Sequence, residues 1–238
     1  MTRSPRLPLP DAPVARTASL LAVPARATIL LALADGRARP ATERARAARI
    51  SAPTASEHLE RLTRGGLLVV EREGRHRYFR LRDPEHVVGL LEALAALAPA
   101  PRGPAPADQA FASSALRRGR TCYRHLAGVL GVAITDALVG EGWLTLDGRL
   151  YDLSDAGARE LGSLGLDVEG ARRARRTFAR ACLDWSERRY HLAGALGGAL
   201  CDRLFEAGWV ERNGDSRITR VTPSGRRVLR QRLGIEVW

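Results

Sequence analysis

Residues 51–62 read Ser-Ala-Pro-Thr-Ala-Ser-Glu-His-Leu-Glu-Arg-Leu, and the chain then runs through Gly65-Gly66-Leu67-Leu68 to Glu73-Gly74-Arg75-His76-Arg77-Tyr78-Phe79-Arg80-Leu81. Ser51 stands where a helix N-cap belongs, with its hydroxyl placed to accept from an unpaired amide of the first turn. At helical spacing, Ala55, Leu59 and Leu62 share one face, while Ser51, Thr54, Ser56, Glu57 and Arg61 lie on or near the other. Gly65-Gly66 ends the helix. Two strand-like runs, Leu67–Arg72 and His76–Leu81, flank a tip at Glu73-Gly74-Arg75 where glycine supplies a positive φ.

Working outward, Pro40–Arg49 reads as a short helix before the Ser51 helix. Upstream, Leu20, Leu21, Ile29, Leu30 and Leu33 are apolar at helix spacing, closed by Asp35-Gly36. Downstream, Asp83-Pro84 opens a helix with Val87, Val88, Leu91, Leu94 and Leu97 on one face. A short helix, a turn, a second helix with polar N-terminal side chains and a hairpin form a winged helix-turn-helix, whose second helix enters the major groove. Arg75, His76 and Arg77 on the wing suit phosphates or the minor groove. Charge follows the same surface: residues 37–82 hold 12 arginines against five acids, whereas 83–100 hold three acids and no base.

The stretch from Ala41-Thr42-Glu43 through Ile50, the Ser-x-x-Thr-x-Ser-x-His-Leu-x-x-Leu run and the Gly-Arg wing together resemble the ArsR-type winged-helix repressors. These are dimeric bacterial regulators that leave DNA when they bind an effector. The resemblance spans about residues 16–97. It implies recognition through Ser51, Thr54, Ser56 and Glu57, wing contacts through Arg75 and Arg77, and dimerisation through the first and last helices of the domain. The chain departs from the metal-sensing members, because no cysteine falls at 43–48. Asp83, His86 and Glu92 only faintly echo their carboxylate–histidine set and read as a solvated helix face. His58, beside Leu59, reads as packing or capping.

The whole chain has 238 residues and a net charge of +12, with every one of its 38 basic residues an arginine. Without lysine, Schiff-base chemistry and the Gly-Lys-Ser/Thr phosphate loop are excluded. Arginine's planar fork favours phosphate, so double-stranded operator DNA is the expected partner. No apolar run approaches the ~18 residues of a membrane span, and the proline-rich start lacks a signal-peptide core, so no membrane partner and a cytoplasmic location are expected. The odd set Cys122, Cys182 and Cys201 fits a reducing compartment better than a disulfide framework.

Residues 1–13 read as a flexible tail, 14–98 as the DNA-binding domain and 99–108, rich in proline, as a linker. Beyond it lies an internal repeat: sliding by 66 residues brings His125–Trp143 onto His191–Trp209 with 11 of 19 positions identical, including His-Leu-Ala-Gly in both. Asp147-Gly148 falls on Asn213-Gly214, both tight-hairpin dipeptides. The expected fold is therefore mainly α with short β-hairpin wings, with winged-helix-like repeats at 109–170 and 171–238 following the DNA-binding domain. Helices are expected from about Cys122 to Glu141 and Arg189 to Ala207, packed on each other through a small-residue face (Ala127, Gly128, Gly131 and Ala193, Gly194, Gly197).

In that arrangement His125 and His191 are equivalent and Cys122 lies one helical turn before His125. Cys122, His125, Cys182 and His191 form a candidate effector site for a thiophilic metal ion such as zinc, for an oxidant or for a small molecule. Buried structural roles compete with that reading. Cys201, Trp143 and Trp209 read as core, and the arginines at 172–180 as a solvated face or an extended DNA footprint. The sequence thus points to a homodimeric, non-enzymatic transcriptional repressor. The alternatives are a thiol enzyme using Cys122 or Cys182 with His125 or His191, and a nonspecific DNA-binding protein.

Overall fold

A computed structural model describes residues 11–34, 38–40, 48, 50–97, 114–214 and 216–237. The expected linker at 99–108 and most of the expected helix at 40–49 lie outside these residues. The chain divides into two compact units, Met1–Val87 and Val88–Trp238, with the division inside a helix. Among the described residues, no single helix is long and apolar enough to cross a membrane.

In the first unit, α1 (Asp11–Leu21) and α2 (Pro24–Ala32) are separated by a break at Ala22-Val23. The tail expected over 1–13 thus gives way to helix at Asp11. Arg26, although buried, donates to the carbonyls of Leu20 and Ser19, satisfying acceptors at the α1 C-terminus. Helix α3 (Ala52–Arg64) begins as the sequence predicts: the Ser51 hydroxyl accepts from the Thr54 amide, and Ala55, Leu59 and Leu62 are buried. Strands β2 (Leu68–Glu73) and β3 (His76–Leu81) pair antiparallel from Leu68–Leu81 to Glu73–His76, leaving Gly74, at φ +58°, and Arg75 as the tip. Pro40 is not helical: with Arg39 it forms β1, which pairs with β3. A proline is tolerated on this edge because it need not donate to the ladder. Helix α4 (Pro84–Leu97) follows the wing directly.

The second unit contains β4 (Arg120–Cys122), β5 (His125–Ala127), α5 (Gly128–Gly140), β6 (Leu144–Asp147), β7 (Leu150–Leu153), α6 (Asp155–Ser163) and α7 (Val168–Arg173). It continues with β8 (Arg180–Leu183), β9 (Tyr190–Ala193), α8 (Gly194–Glu206), β10 (Val210–Arg212), β11 (Thr219–Val221) and α9 (Pro223–Leu233). The described residues hold eleven short strands beside nine helices, so helix and sheet are mixed. The two long helices begin at Gly128 and Gly194, since residues 125–127 and 190–193 are strand and Cys122 ends the strand before. Both glycines have positive φ, and a Cβ on either would fall within 3 Å of a backbone carbonyl oxygen.

The two segments sharing the repeat exchange contacts reciprocally. Tyr151 N donates to Ala179 O and Ala181 N to Arg149 O, while Thr219 N donates to Gly119 O and Thr121 N to Arg217 O. Each opening hairpin thus bonds to the later hairpin of the other segment. A Cβ on Gly131 would approach the His191 Cβ, and one on Gly197 the His125 Cβ, so β9 lies on α5 and β5 on α8. One core holds Leu130, Ile134, Leu138, Trp143, Leu196, Leu200, Cys201, Leu204 and Leu229. Ser154 and Thr222 cap α6 and α9 in the same way, accepting from Gly157 N and Gly225 N.

Candidate functional site

The first functional surface is α3 with its wing. Glu57 and Arg61 are exposed and pair with each other at 2.7 Å across one turn. Thr54 and Ser56 are half-buried and Ser51 is exposed. Ser51 has a structural task as well, because its hydroxyl also lies 2.8 Å from Thr54 Oγ1. Arg75, His76 and Arg77 are exposed at the wing tip, with Arg77 over the Phe79 ring and His76 edge-on to Tyr78. His58 is half-buried and its Nδ1 has no hydrogen-bond partner.

The second is a buried cluster in the other unit. Cys122 pairs with His125 across the β4–β5 hairpin and Cys182 with His191 across β8–β9, so each hairpin presents one thiol and one imidazole. Cys122 is therefore opposite His125 in a ladder, not one helical turn before it. One ligand atom from each of the four residues lies within 4.8 Å of all the others, and all four residues are buried. The two imidazole Nε2 atoms are 3.1 Å apart at its centre.

Asp184, fully buried, stands behind this cluster. Its Oδ2 accepts from Gly128 N at 2.6 Å and Arg120 at 3.1 Å, and lies 3.4 Å from His191 Nδ1. Its Oδ1 accepts from Ser186 N, Ser186 Oγ and Glu187 N. Arg120, also fully buried, reaches the Glu92 carboxylate on α4 at 3.0 Å and stacks 4.8 Å from the Trp185 ring. Arg217 lies 3.7 Å from the other Glu92 oxygen. Glu92 thus belongs to a buried ion cluster and not to the solvated face expected of it. Asp83 and His86 do lie exposed, paired with each other at 2.8 Å.

Proton affinities follow from these contacts. Burial opposes ionisation of Asp184, but His191, Arg120, Ser186 and the Gly128 amide outweigh it and hold the carboxyl well below its usual range. Burial likewise disfavours a charged His191, yet Asp184 and Cys182 raise it to about 9. Hydrogen bonding from Cys122 lowers Cys182 despite burial, with both imidazoles contributing, while the same bond and burial push Cys122 up. Burial lowers His125. These contacts favour the deprotonated form of Cys182 and the protonated form of His191.

A family model described as a helix-turn-helix domain matches residues 20–71. The helix-turn-helix-type transcriptional regulator YdfF of Bacillus subtilis (strain 168) is 41% identical over 224 residues, covering 94% of this chain and 98% of the relative. The chain belongs to the helix-turn-helix transcriptional regulators. Among solved structures, a Mycobacterium bovis homodimeric winged helix-turn-helix domain, described as a possible ArsR-family regulator, is 30% identical to this regulator. It covers 40% of this chain and 86% of its own, with a TM-score of 0.31. The cadmium sensor CMTR of Mycobacterium tuberculosis is 34% identical, covering 40% and 98%, with a TM-score of 0.29.

Of the groups that support this regulator's buried site, Arg120 is given no role by the sequence and Glu92 is given a different one. The repeat offset of 66 aligns the histidines but not the cysteines. Cys122 and Cys182 are 60 apart because the second hairpin is six residues longer. Those residues, 184–189, bring in Asp184, which has no counterpart in the two-residue turn Tyr123-Arg124. A comparison of Arg120-Thr121-Cys122 with Arg180-Ala181-Cys182 is the signal that could have found the equivalence. In the arginine-rich stretch, Arg172 is committed locally: it lies 3.6 Å from Glu169 and 4.7 Å from the Phe178 ring.

Proposed function

We propose that this regulator is a sequence-specific, homodimeric repressor of the ArsR type, reading operator DNA with Thr54, Ser56, Glu57 and Arg61 of α3, with Ser51 at its cap and Arg75, His76 and Arg77 on the wing. The observation that carries this reading is the capped α3, buried on its Leu59–Leu62 face and polar on the other, followed directly by a wing with basic residues in solvent. Helix α4 leaves Leu90, Leu94 and Leu97 exposed at i, i+4, i+7 spacing, a stripe suited to a second copy. The DNA-binding domain is read as residues 14–98, and 109–170 and 171–238 as winged-helix-like repeats packed reciprocally. DNase footprinting on the promoter of its own gene tests the assignment: a protected, two-fold-related site supports it, and uniform partial protection contradicts it.

The second unit is read as the effector-binding part, with Cys122, His125, Cys182 and His191 holding a thiophilic metal ion such as zinc. Two thiols and two imidazoles form a common tetrahedral donor set, whose edges at ordinary zinc bond lengths measure about 3.3–3.8 Å. The donors here lie within 4.8 Å of one another, so modest contraction suffices. His191 Nδ1 lies 3.4 Å from Asp184 Oδ2, which places a carboxylate where metal-bound imidazoles usually find their support. Both thiols are buried, whereas an oxidant sensor needs an exposed thiolate. Titrating reduced, metal-free protein with cobalt tests the site: thiolate-to-cobalt absorption at one equivalent supports it, and no such band contradicts it. Family membership and the burial of the cluster favour regulation over a thiol enzyme, and the polar α3 face favours specific over nonspecific DNA binding.

A further inference from the structure

The ion cluster behind the four donors has a direction. Arg120 is two residues before Cys122 in one strand, where such pairs point to the same side, and Asp184 is the first residue after the strand that carries Cys182. The strand that supplies Cys122 therefore also supplies Arg120, and the loop residue that follows the Cys182 strand is Asp184: Arg120 bonds both Glu92 and Asp184 through its Nη2. Asp184 closes the circuit through His191 at 3.4 Å and through the Gly128 amide at the start of α5. Glu92 lies in the middle of α4, one continuous helix whose first residue, Pro84, comes three positions after the last wing strand.

We propose that metal occupancy of the four-donor site is coupled to α4 through Asp184, Arg120 and Glu92, and through α4 to operator affinity. The inference rests on the metal reading above and adds its regulation. Drawing Cys122 and Cys182 to metal-bonding distance displaces β4 and β8 relative to each other, and Arg120 and Asp184 move with them. Both are fully buried, with Arg120 held by Leu116 O and Ser186 Oγ and Asp184 by backbone amides. Such a constrained pair passes displacement on to Glu92, because close-packed buried groups have few alternative positions. Charge neutrality points the same way, since Glu92 is 2% exposed and its cations are Arg120 and Arg217.

The test uses the full-length reduced protein, stripped with chelator and reloaded with one equivalent of zinc. Operator affinity is measured with and without zinc for wild type and for Glu92→Gln, and zinc stoichiometry for both. The expected result is a change in wild-type affinity within about 5- to 150-fold, reduced to less than twofold in Glu92→Gln although that variant still binds one zinc. Hydrogen exchange of wild-type α4 on zinc addition supplies a second reading that needs no variant, and altered exchange over 84–97 is expected. Zinc binding with unchanged wild-type affinity, unchanged α4 exchange or undiminished coupling in Glu92→Gln overturns the coupling and leaves the metal reading standing. Absence of zinc binding overturns both.

Discussion

Replacing Arg120 by methionine removes the cation from between two buried carboxylates while keeping most of its volume. Arg120 bonds Glu92 at 3.0 Å and Asp184 at 3.1 Å. Arg217 remains near Glu92, but at 3.7 Å and on its other oxygen, so it replaces little of what is lost. Breaking a buried pair by removing one partner costs about 3–5 kcal/mol. For a unit of this size that corresponds to a fall in Tm of about 6–20 °C, at about 2–4 °C per kcal/mol. Trp143, Trp185, Trp209 and Trp238 all belong to the second unit, so tryptophan fluorescence during urea unfolding reports on it selectively. The pH dependence sharpens the test. Asp184 has a depressed folded pKa, so its contribution is present above its ordinary value of 3.8 and is lost as pH falls toward the folded value. In Arg120→Met part of that contribution is already missing, so the gap from wild type is wide at pH 7 and narrows below about pH 4. Adding Glu92→Leu should recover part of the loss. A gap smaller than about 1 kcal/mol at pH 7, well below the cost of breaking a buried pair, or one independent of pH, would refute the reasoning.

Arg75→Ala and Arg77→Ala should each weaken DNA binding about equally across sequences and reduce the salt slope by about one, as expected for a phosphate contact; an unchanged slope would remove the wing from the interface. Thr54→Ala should alter preference among operator variants more than it alters binding to random DNA, and equal effects on both would argue against base reading. Gly131→Ala should destabilise the second unit by about 1–3 kcal/mol, because its Cβ would fall 2.4 Å from the Leu126 carbonyl oxygen. Gly140→Ala, in the same helix with nothing within 4 Å, should be neutral or stabilise by up to about 1 kcal/mol. Equal melting of these two variants would contradict the close approach of the Leu126 carbonyl to Gly131. Leu59→Ala should cost about 2–5 kcal/mol in the first unit, and proteolysis of that unit is the readout.

The capped helix and wing proposed to read DNA are legible in the sequence because they depend on local rules. A capping serine, apolar residues at helical spacing and a glycine at a two-residue tip each act within a few positions, and each appears where the sequence places it. Pro40 reads as the start of a helix and is strand instead, because pairing with β3 is a long-range event with no local signature. The second unit was legible only in part. A fixed-offset repeat reveals duplicated helices and hairpin tips, but residues 125–127 and 190–193 look helical beside apolar neighbours and are strand because each pairs with the strand before it in a hairpin. The Cys/His set was visible as residue types, whereas its geometry depends on a six-residue difference in hairpin length. Glu92 was read as solvated because nothing local announces a partner 28 positions away. Buried ion clusters join distant positions, and periodicity carries no information about them.

The central claim is that α3 and the wing read a specific DNA sequence. Equilibrium binding of the full-length chain to its own promoter fragment and to a scrambled duplex of equal length, from 50 to 300 mM salt, tests it most directly. Tighter binding to the promoter by about 10³-fold or more is expected, with affinity for both falling steeply as salt rises. Equal affinity for the two duplexes across the salt range would contradict it.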